Sequence, residues 1–193
     1  MLEMARPRTL PRDDPALTRR HSVCFARLSW WSLRADCGVV RPPTVIERDR
    51  LIAGRHPCAW GPENASAEVR ELAAAGVSLF LDLTQDGELE PYAHLVQLPA
   101  RHLRMAIRDF SVPTREQLVA TLDEIDGELR AGGLVYVHCW AGCGRTGVVV
   151  GSWLVRHGVT PGDALARIAE ARGLGCPQTL EQRLFVLGWH EAQ

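Results

Sequence analysis

Short apolar runs alternate with stretches of helical periodicity along the chain from residue 42 onward. The apolar runs predict five strands, over residues 44–46, 51–53, 77–83, 102–107 and 134–137. The periodic stretches predict five helices, over residues 68–74, 114–130, 148–155, 160–172 and 178–191. Strands that alternate with helices indicate an α/β fold in which helices flank a central β-sheet.

Three of the predicted helices carry specific sequence signals. The helix over 114–130 begins with a capping box formed by Thr114 and Gln117. The helix over 160–172 begins with Pro161, a residue that favours the first helical position. The last helix offers five apolar side chains for burial: Leu180, Leu184, Phe185, Leu187 and Trp189.

The first 41 residues differ in composition from the rest of the chain. They contain eight arginines against four acidic residues, and they show no sustained periodicity. We expect residues 1–41 to be a poorly ordered extension, followed by a domain over residues 42–193. Four apolar residues cluster inside this extension: Leu28, Trp30, Trp31 and Leu33.

The segment from residue 134 to residue 147 combines a strand, a glycine-rich loop and the start of a helix. Glycines at 142, 144 and 147 allow several backbone N–H groups to point toward one spot. The helix N-terminus adds its positive end to the same place. The segment therefore predicts a cradle for an anion.

This cradle contains a cysteine and an arginine, Cys139 and Arg145. Amide dipoles, a helix N-terminus and a guanidinium all stabilise a thiolate, which is the nucleophilic form of cysteine. The planar fork of arginine binds two phosphate oxygens at once. Together these features predict attack of sulfur on the phosphorus of a bound phosphate ester.

The run His138-Cys139, five further residues and then Arg145-Thr146-Gly147 resembles the signature of the cysteine-dependent protein tyrosine phosphatase superfamily. Over about residues 42–191, the chain looks most similar to the compact dual-specificity type related to the cyclin-dependent kinase inhibitor 3 phosphatases. The resemblance implies a central mixed β-sheet flanked by helices. It also implies hydrolysis of phosphomonoesters without a metal or another cofactor.

The resemblance also implies roles for individual residues. Cys139 would form a phosphocysteine, Arg145 would bind the phosphoryl oxygens, and the hydroxyl of Thr146 would help the thiolate leave. His138 would orient the loop; the alternative is an imidazole held by a backbone carbonyl. The phosphate-binding loop would include five further residues: Trp140, Ala141, Gly142, Cys143 and Gly144.

Cleavage of a phosphate ester also needs a proton for the leaving oxygen, which a carboxylic acid can supply. Asp109 follows a predicted strand and precedes Cys139 by thirty residues. This order resembles the general-acid loop of dual-specificity phosphatases, so Asp109 is the predicted acid. Asp82 and Asp86 are the alternatives.

A glutamine side chain positions the hydrolytic water in this superfamily. The segment that follows Cys176 resembles the superfamily's glutamine loop, which implies this role for Gln178 first and Gln182 second. The alternative is that both glutamines are solvated residues of the last helix.

The same residues can be compared with two nucleotide-binding patterns. Residues 142–147 also match the G-x-G-x-x-G pattern of dinucleotide-binding folds, with Asp163 about 20 positions later. In those folds the acid ends a second strand, whereas Asp163 lies at a predicted helix start. A P-loop kinase site would need glycine in place of Cys139 and lysine in place of Arg145.

Six cysteines are scattered over the chain, and their spacing favours a reduced, cytoplasmic protein. A zinc site built from His138, Cys139, Cys143 and Cys176 lacks the paired ligands typical of such sites. Cys143 is predicted to be a small packed thiol, with a disulfide to Cys139 as the alternative. No metal is therefore expected.

The formal net charge of −1 gives no reason to expect a nucleic-acid partner or a membrane surface. The expected substrate is phosphotyrosine, and in addition phosphoserine or phosphothreonine, on a protein. A small metabolite, a nucleotide or a phosphoinositide is the alternative substrate. The absence of a basic residue between Cys139 and Arg145 argues against phosphoinositides, and a non-catalytic phosphate-binding module is the remaining alternative.

Overall fold

A computed structural model describes residues 41–47 and 50–190 as a five-stranded sheet with helices on both faces. The predicted extension and its apolar cluster lie outside the described residues, apart from Arg41. The strand order is β1-β2-β5-β3-β4, with β1 antiparallel to β2 and all other neighbours parallel. This confirms the predicted α/β fold with a central mixed sheet. The strands are β1 (Thr44–Glu47), β2 (Leu51–Arg55), β3 (Val77–Asp82), β4 (Arg101–Arg104) and β5 (Leu134–Cys139).

Each predicted helix is present, with some differences in its bounds. The first helix begins six residues earlier than predicted, because Pro62 occupies its first position, where proline is favoured. Within residues 41–47 and 50–190, no helix is both long and apolar enough to cross a membrane. The helices are α1 (Pro62–Ala74), α2 (Arg115–Arg130), α3 (Gly144–Arg156), α4 (Pro161–Arg172) and α5 (Leu180–Leu187).

The sheet separates two apolar clusters. Alternate residues of β5 point to opposite faces, as in any strand, so Val135 and Val137 join one cluster and Tyr136 joins the other. The first cluster includes the predicted apolar face of α2, namely Leu118, Leu122, Ile125 and Leu129. Burial of both faces explains why β5 is an uninterrupted apolar run rather than an alternating one.

The predicted burial of leucines on the last helix is wrong. Leu180, Leu184 and Leu187 are 71%, 56% and 47% exposed. The buried side of α5 instead carries Gln182 and Val186. Helices α3 and α4 pack on that side, and they decide which side chains of α5 are covered.

The carboxyl ends of three parallel strands meet at one edge of the sheet. Cys139 at the end of β5 pairs with Arg55 of β2, and its neighbour His138 pairs with Asp82 of β3. In α/β sheets, ligands bind outside this edge, where loops from several strands converge. The register therefore places the predicted cradle at the edge where a ligand site is expected.

Candidate active site

The loop between β5 and α3 turns sharply because of Gly142. This residue has a φ of 72°, in the left-handed region that favours glycine. A side-chain carbon at this position would lie 2.1 Å from the carbonyl oxygen of Gly54 on β2. The loop therefore lies directly against the neighbouring strand, and Cys143 ends it as the N-cap of α3.

The three central residues of the motif are buried at this helix start. Cys139, Arg145 and Thr146 are 3%, 1% and 0% exposed. Burial lowers the pKa of Arg145, but Glu88, Cys139 and Asp109 raise it, and the net shift is upward. The guanidinium therefore lies among negative groups that keep it charged.

Glu88 holds the guanidinium of Arg145 by both carboxylate oxygens. Its Oε2 accepts a hydrogen bond from Nη1 at 2.7 Å, and its Oε1 accepts one from Nη2 at 2.5 Å. Burial raises the pKa of Glu88, but hydrogen bonds from Arg145 and the Gln85 N–H outweigh this effect, so its pKa is lowered. Glu88 is not among the residues predicted from the sequence, where its one signal is its place in an acidic loop.

Two buried polar atoms of the cradle have no partner among the described residues. They are Nε of Arg145 and Oγ1 of Thr146. An unpaired buried polar group costs about 1–3 kcal/mol, which a hydrogen bond to a bound ligand would offset. Both atoms lie in the cradle that holds Cys139, where they are available to pair with a ligand or a reacting group.

Asp109 lies beside this cradle. Its Oδ1 is 2.9 Å from Nη2 of Arg145, and the residue is about one-third exposed, so water and substrate can reach the carboxyl group. Its Oδ1 also accepts a hydrogen bond from the Phe110 N–H at 3.0 Å. The structure thus brings Asp109, the predicted acid, next to Arg145, the residue predicted to bind the phosphate.

The two alternative acids are engaged elsewhere. Asp82 is fully buried and accepts hydrogen bonds from Thr84 and Arg104. Burial raises the pKa of Asp82, but His138 and hydrogen bonds from neighbouring groups outweigh burial and hold it well below its usual range. Asp86 is 98% exposed and pairs with Arg104 at 2.8 Å. The carboxylates that form ion pairs with Arg145 are instead those of Glu88 and Asp109.

Both candidate glutamines lie against the start of α3. A side-chain carbon built on Gly144 would lie 2.6 Å from Oε1 of Gln178 and 3.0 Å from Nε2 of Gln182. Gln182 is fully buried, caps α5 with Thr179, and donates a hydrogen bond to the Ser111 carbonyl at 3.1 Å. Gln178 is exposed. Gln178 is therefore the glutamine that is accessible to solvent.

His138 contacts the hydroxyl group of Tyr92, and a hydrogen bond with the Cys139 backbone also acts on its ring. Its Nε2 is 2.5 Å from the hydroxyl oxygen of Tyr92, and both residues are buried. Its Nδ1 is 3.9 Å from Oδ1 of Asp82. His138 and Cys139 are the last two residues of β5, so these contacts hold the end of that strand in place.

The buried histidines predict a loss of stability in mild acid. Burial lowers the pKa of His138 to about 3 and that of His56 to about 4. Between these pKa values and pH 6.5, which is about the pKa of an unperturbed histidine, the unfolded chain binds protons that the folded chain does not. The free energy of unfolding therefore decreases as the pH decreases. We expect the free energy of unfolding to fall below pH 6.5, by at most about 1.4 kcal/mol per pH unit for each histidine.

Thermal unfolding in buffers of equal ionic strength from pH 7 to pH 5 measures this effect. A His56→Gln variant should show a shallower dependence on pH than the wild type. The exposed His94 provides the matched control, and its replacement by glutamine should leave the dependence unchanged. A melting temperature that is constant over this pH range would contradict the prediction.

The prediction for Cys143 is wrong in both of its forms. Cys143 is neither a free thiol nor paired with Cys139; it forms a disulfide with Cys176, 33 residues later. Helices α3 and α4 form a hairpin that returns the chain to the cradle, which brings these two cysteines together. Among the described residues, Cys58 and Cys139 are the free cysteines. The expectation of fully reduced cysteines therefore fails at this pair.

Two of the four ligands of the zinc alternative, Cys143 and Cys176, are joined to each other in a disulfide. Over the part of the chain that the structure describes, no group of three or more histidine, cysteine or acidic residues could hold a metal ion. Asp163 lies at the start of α4, where its backbone N–H donates to the Thr160 hydroxyl. The dinucleotide pattern requires an acidic residue that ends a strand, and Asp163 does not end one.

A family described as "Polymorphic toxin system, DSP-PTPase phosphatase" matches residues 57–159, more than half of the chain. A putative tyrosine phosphatase of Invertebrate iridescent virus 3 is 32% identical over 111 residues, which cover 55% of this chain and 42% of that protein. The tyrosine-protein phosphatase CDC14 of Candida albicans is 34% identical over 67 residues, which cover 34% of this chain and 12% of the relative. The chain thus spans less than half of the length of these curated relatives.

Solved structures extend the similarity to about three quarters of the chain. The active form of the phosphatase Tk-PTP superposes with a TM-score of 0.65 and 30% identity, over 75% of this chain and 95% of that one. Kinase-associated phosphatase superposes with a TM-score of 0.66 at 20% identity, over 78% and 96% of the two chains. At this identity, the similarity to kinase-associated phosphatase shows a shared fold.

Proposed function

We propose that this chain, which belongs to the family of DSP-PTPase phosphatases of polymorphic toxin systems, hydrolyses phosphomonoesters through a phosphocysteine intermediate. One observation carries the proposal. The buried Arg145 keeps its Nε without a partner among the described residues, in the cradle that holds Cys139. Similarity to tyrosine phosphatases supports the same reaction.

The first step transfers the phosphoryl group to the enzyme. The Cys139 sulfur attacks phosphorus, and the bond from phosphorus to the ester oxygen breaks. Asp109 gives its proton to that oxygen, which leaves as an alcohol or a phenol. Backbone N–H groups of the cradle and Arg145 bind the phosphoryl oxygens and stabilise their charge in the transition state.

The second step regenerates the enzyme. A water molecule attacks phosphorus while Asp109, now a carboxylate, takes a proton from it. The bond from sulfur to phosphorus breaks, and inorganic phosphate and the Cys139 thiolate are formed. The Thr146 hydroxyl donates a hydrogen bond to the departing thiolate. We assign Gln178 to the positioning of the water, since it is exposed beside α3. We assign Gln182 to the support of the loop that carries Asp109, since it donates a hydrogen bond to the Ser111 carbonyl.

We propose a phosphorylated protein as the substrate, with phosphotyrosine preferred and phosphoserine or phosphothreonine as further candidates. The charges around the cradle support a substrate with a single phosphate group. No basic residue lies between Cys139 and Arg145, and Glu88 brings an acidic loop to the site. A phosphoinositide or a nucleotide would place additional negative charge near these carboxylates, which is unfavourable. Nucleic acid and membrane surfaces are not expected partners.

A cytoplasmic location stays a prediction from the scattered cysteines. The Cys143–Cys176 disulfide weighs against it, because disulfides persist mainly where thiols are not kept reduced.

Hydrolysis of p-nitrophenyl phosphate in the presence of a metal chelator tests the proposed reaction. We expect turnover that the chelator does not reduce, together with competitive inhibition by inorganic phosphate. Folded protein that binds phosphate without turnover would instead identify a phosphate-binding module.

Replacement of Asp109 by asparagine should reduce activity in a way that depends on the leaving group. The variant cannot donate a proton, so kcat should fall about 10²–10³-fold for an alkyl or phenyl phosphate. The loss should be much smaller for p-nitrophenyl phosphate, whose leaving group needs little protonation. Steady-state kinetics on a series of substituted phenyl phosphates measures the difference.

Asp86→Asn is the matched control, because Asp86 lies in a loop beside the site and is fully accessible to solvent. It should leave kcat within about twofold for every substrate, as expected for an exposed residue. Equal losses for good and poor leaving groups in Asp109→Asn would show that another group is the acid.

A further inference from the structure

The cradle is joined by a covalent bond to the segment that carries Gln178. Cys143, which ends the cradle as the N-cap of α3, forms a disulfide with Cys176. Gln178 lies two residues beyond this bond along the chain. Neither cysteine takes part in the two chemical steps, since Cys139 is the nucleophile. The bond therefore limits how far Gln178 can move away from the cradle.

The hydrogen bonds of residues 173–179 lead away from the cradle in the part of the chain that the structure describes. The Cys176 N–H donates to the Gly173 carbonyl, within the segment itself, at 2.9 Å. The Pro177 carbonyl accepts a hydrogen bond from Nε of Arg183 on α5 at 2.8 Å. Two glycines also make the backbone of this segment adaptable. The disulfide is therefore the strongest direct link between the segment and the cradle.

Gln178 lies close to the first turn of α3. A side-chain carbon built on Gly144 would lie 2.6 Å from Oε1 of Gln178, so any larger residue there would displace this amide. Glycine is a poor helix former, and at this position it leaves the room that Gln178 needs. The N-terminus of α3 is also where a phosphoryl group would bind. An amide at this place can bind a water molecule that approaches the phosphorus.

We propose that the Cys143–Cys176 disulfide positions Gln178 for hydrolysis of the phosphocysteine. The inference rests on the proposed phosphatase function and concerns its second step. Cys143 and Cys176 are positioning residues, because they act through the amide of Gln178. Without the bond, this amide would spend much of its time away from the cradle, and water would attack phosphorus more slowly. A misplacement of about 1 Å can lower a rate about 100-fold.

The first step should not depend on the disulfide. Its reacting groups, Cys139, Arg145 and Asp109, lie outside residues 173–179, and Glu88 holds Arg145. Loss of the bond should therefore slow the second step alone, so that phosphocysteine accumulates during turnover. In a two-step reaction, kcat/KM reports the steps up to release of the leaving group. We therefore expect kcat and KM to fall together while kcat/KM stays unchanged.

The experiment compares wild-type protein with Cys176→Ala on p-nitrophenyl phosphate, without reductant and below both melting temperatures. The good leaving group makes the first step fast. We expect kcat to fall about 10–100-fold in the variant, with KM lowered by a similar factor and kcat/KM within about threefold of wild type. A rapid burst of about one equivalent of p-nitrophenol per enzyme should precede the steady state, as expected when a covalent intermediate accumulates.

Two control variants separate positioning from a loss of stability. Leu72→Ala removes a buried side chain from the apolar cluster that does not contain Cys143, and it should destabilise the fold comparably. Loss of folded enzyme lowers kcat and kcat/KM by the same factor, so KM should stay unchanged. Gln178→Ala keeps the disulfide and should produce the burst. Adding Cys176→Ala to it should slow turnover no further, as expected for groups that act as a unit.

A dithiol reductant repeats the test in wild-type protein. It transfers two electrons and two protons to the bond, which becomes two thiols, and the dithiol itself becomes a disulfide. Reduced wild type should show the same burst and the same lowered kcat as Cys176→Ala. The reductant should leave the kinetics of Cys176→Ala unchanged.

The outcomes distinguish this role from the proposed function. Suppose that wild type turns over in two steps while Cys176→Ala and reduced wild type keep its KM and show no burst. That result would overturn the positioning role and leave the phosphatase function standing. A Gln178→Ala variant without a burst would overturn it as well. Absence of turnover by folded wild-type protein, both with and without reductant, would overturn the proposed function itself.

Discussion

Replacing Cys139 by serine is expected to lower kcat for p-nitrophenyl phosphate by more than about 10⁴-fold, because the covalent nucleophile is lost. A serine hydroxyl is not ionised near neutral pH, so it is a much weaker nucleophile than a thiolate. The loop amides and Arg145 are unchanged by the substitution, so the variant should bind phosphate with nearly wild-type affinity. Steady-state kinetics and calorimetric titration with phosphate measure the two effects separately.

Cys58→Ser is the matched control for this prediction. Cys58 is the other free buried thiol of the described residues, and it lies in the apolar cluster on the α1 side of the sheet. Burial raises its pKa to about 11, so it stays protonated at neutral pH. Its replacement should leave kcat within a few-fold of wild type. Activity retained by Cys139→Ser would contradict the phosphocysteine mechanism.

Breaking the disulfide is expected to produce the largest loss of stability. The bond closes a loop of 33 residues, and a loop of this size is worth about 3–4 kcal/mol in chain entropy. Cys176→Ala should therefore lower the melting temperature by about 10 °C in a domain of this length. Thermal unfolding of variant and wild type, each with and without a thiol reductant, measures the effect.

The reductant provides an internal check on this prediction. It should lower the melting temperature of wild type to that of Cys176→Ala and leave the variant unchanged. Denatured, unreduced protein should be treated with an alkylating agent, which modifies free thiols. Mass spectrometry should then show Cys143 and Cys176 without the modification. Wild-type protein that alkylates at both positions without reduction would show that the bond does not form.

Local sequence features predicted the elements of this fold well. The capping box at Thr114 is present, and α2 runs over Arg115–Arg130, as its periodicity indicated. The strand of the cradle begins at Leu134 as predicted, but its helix begins at Gly144, four residues earlier than predicted, so Gly144 and Gly147 lie in the helix rather than in the loop. These features depend on residues a few positions apart, so their geometry can be inferred from neighbouring side chains alone.

The apolar pattern of α5 shows where local inference stops. Leu180 and Leu184 have the spacing of a buried face, but α3 and α4 cover the side that carries Gln182 and Val186. Helical periodicity gives the relative positions of side chains around a helix axis. It does not give the rotation of that axis toward the neighbouring helices.

For the site, the sequence by itself determined how its three central residues are arranged. Cys139, Arg145 and Thr146 lie within eight residues of one another, and a single strand-loop-helix unit fixes their relation. Tertiary structure alone decided which distant groups surround them. Glu88 reaches Arg145 across 57 positions, Tyr92 reaches His138 across 46, and Cys176 reaches Cys143 across 33. Such contacts depend on how the helices pack and on the order of strands in the sheet, and no local pattern carries that information.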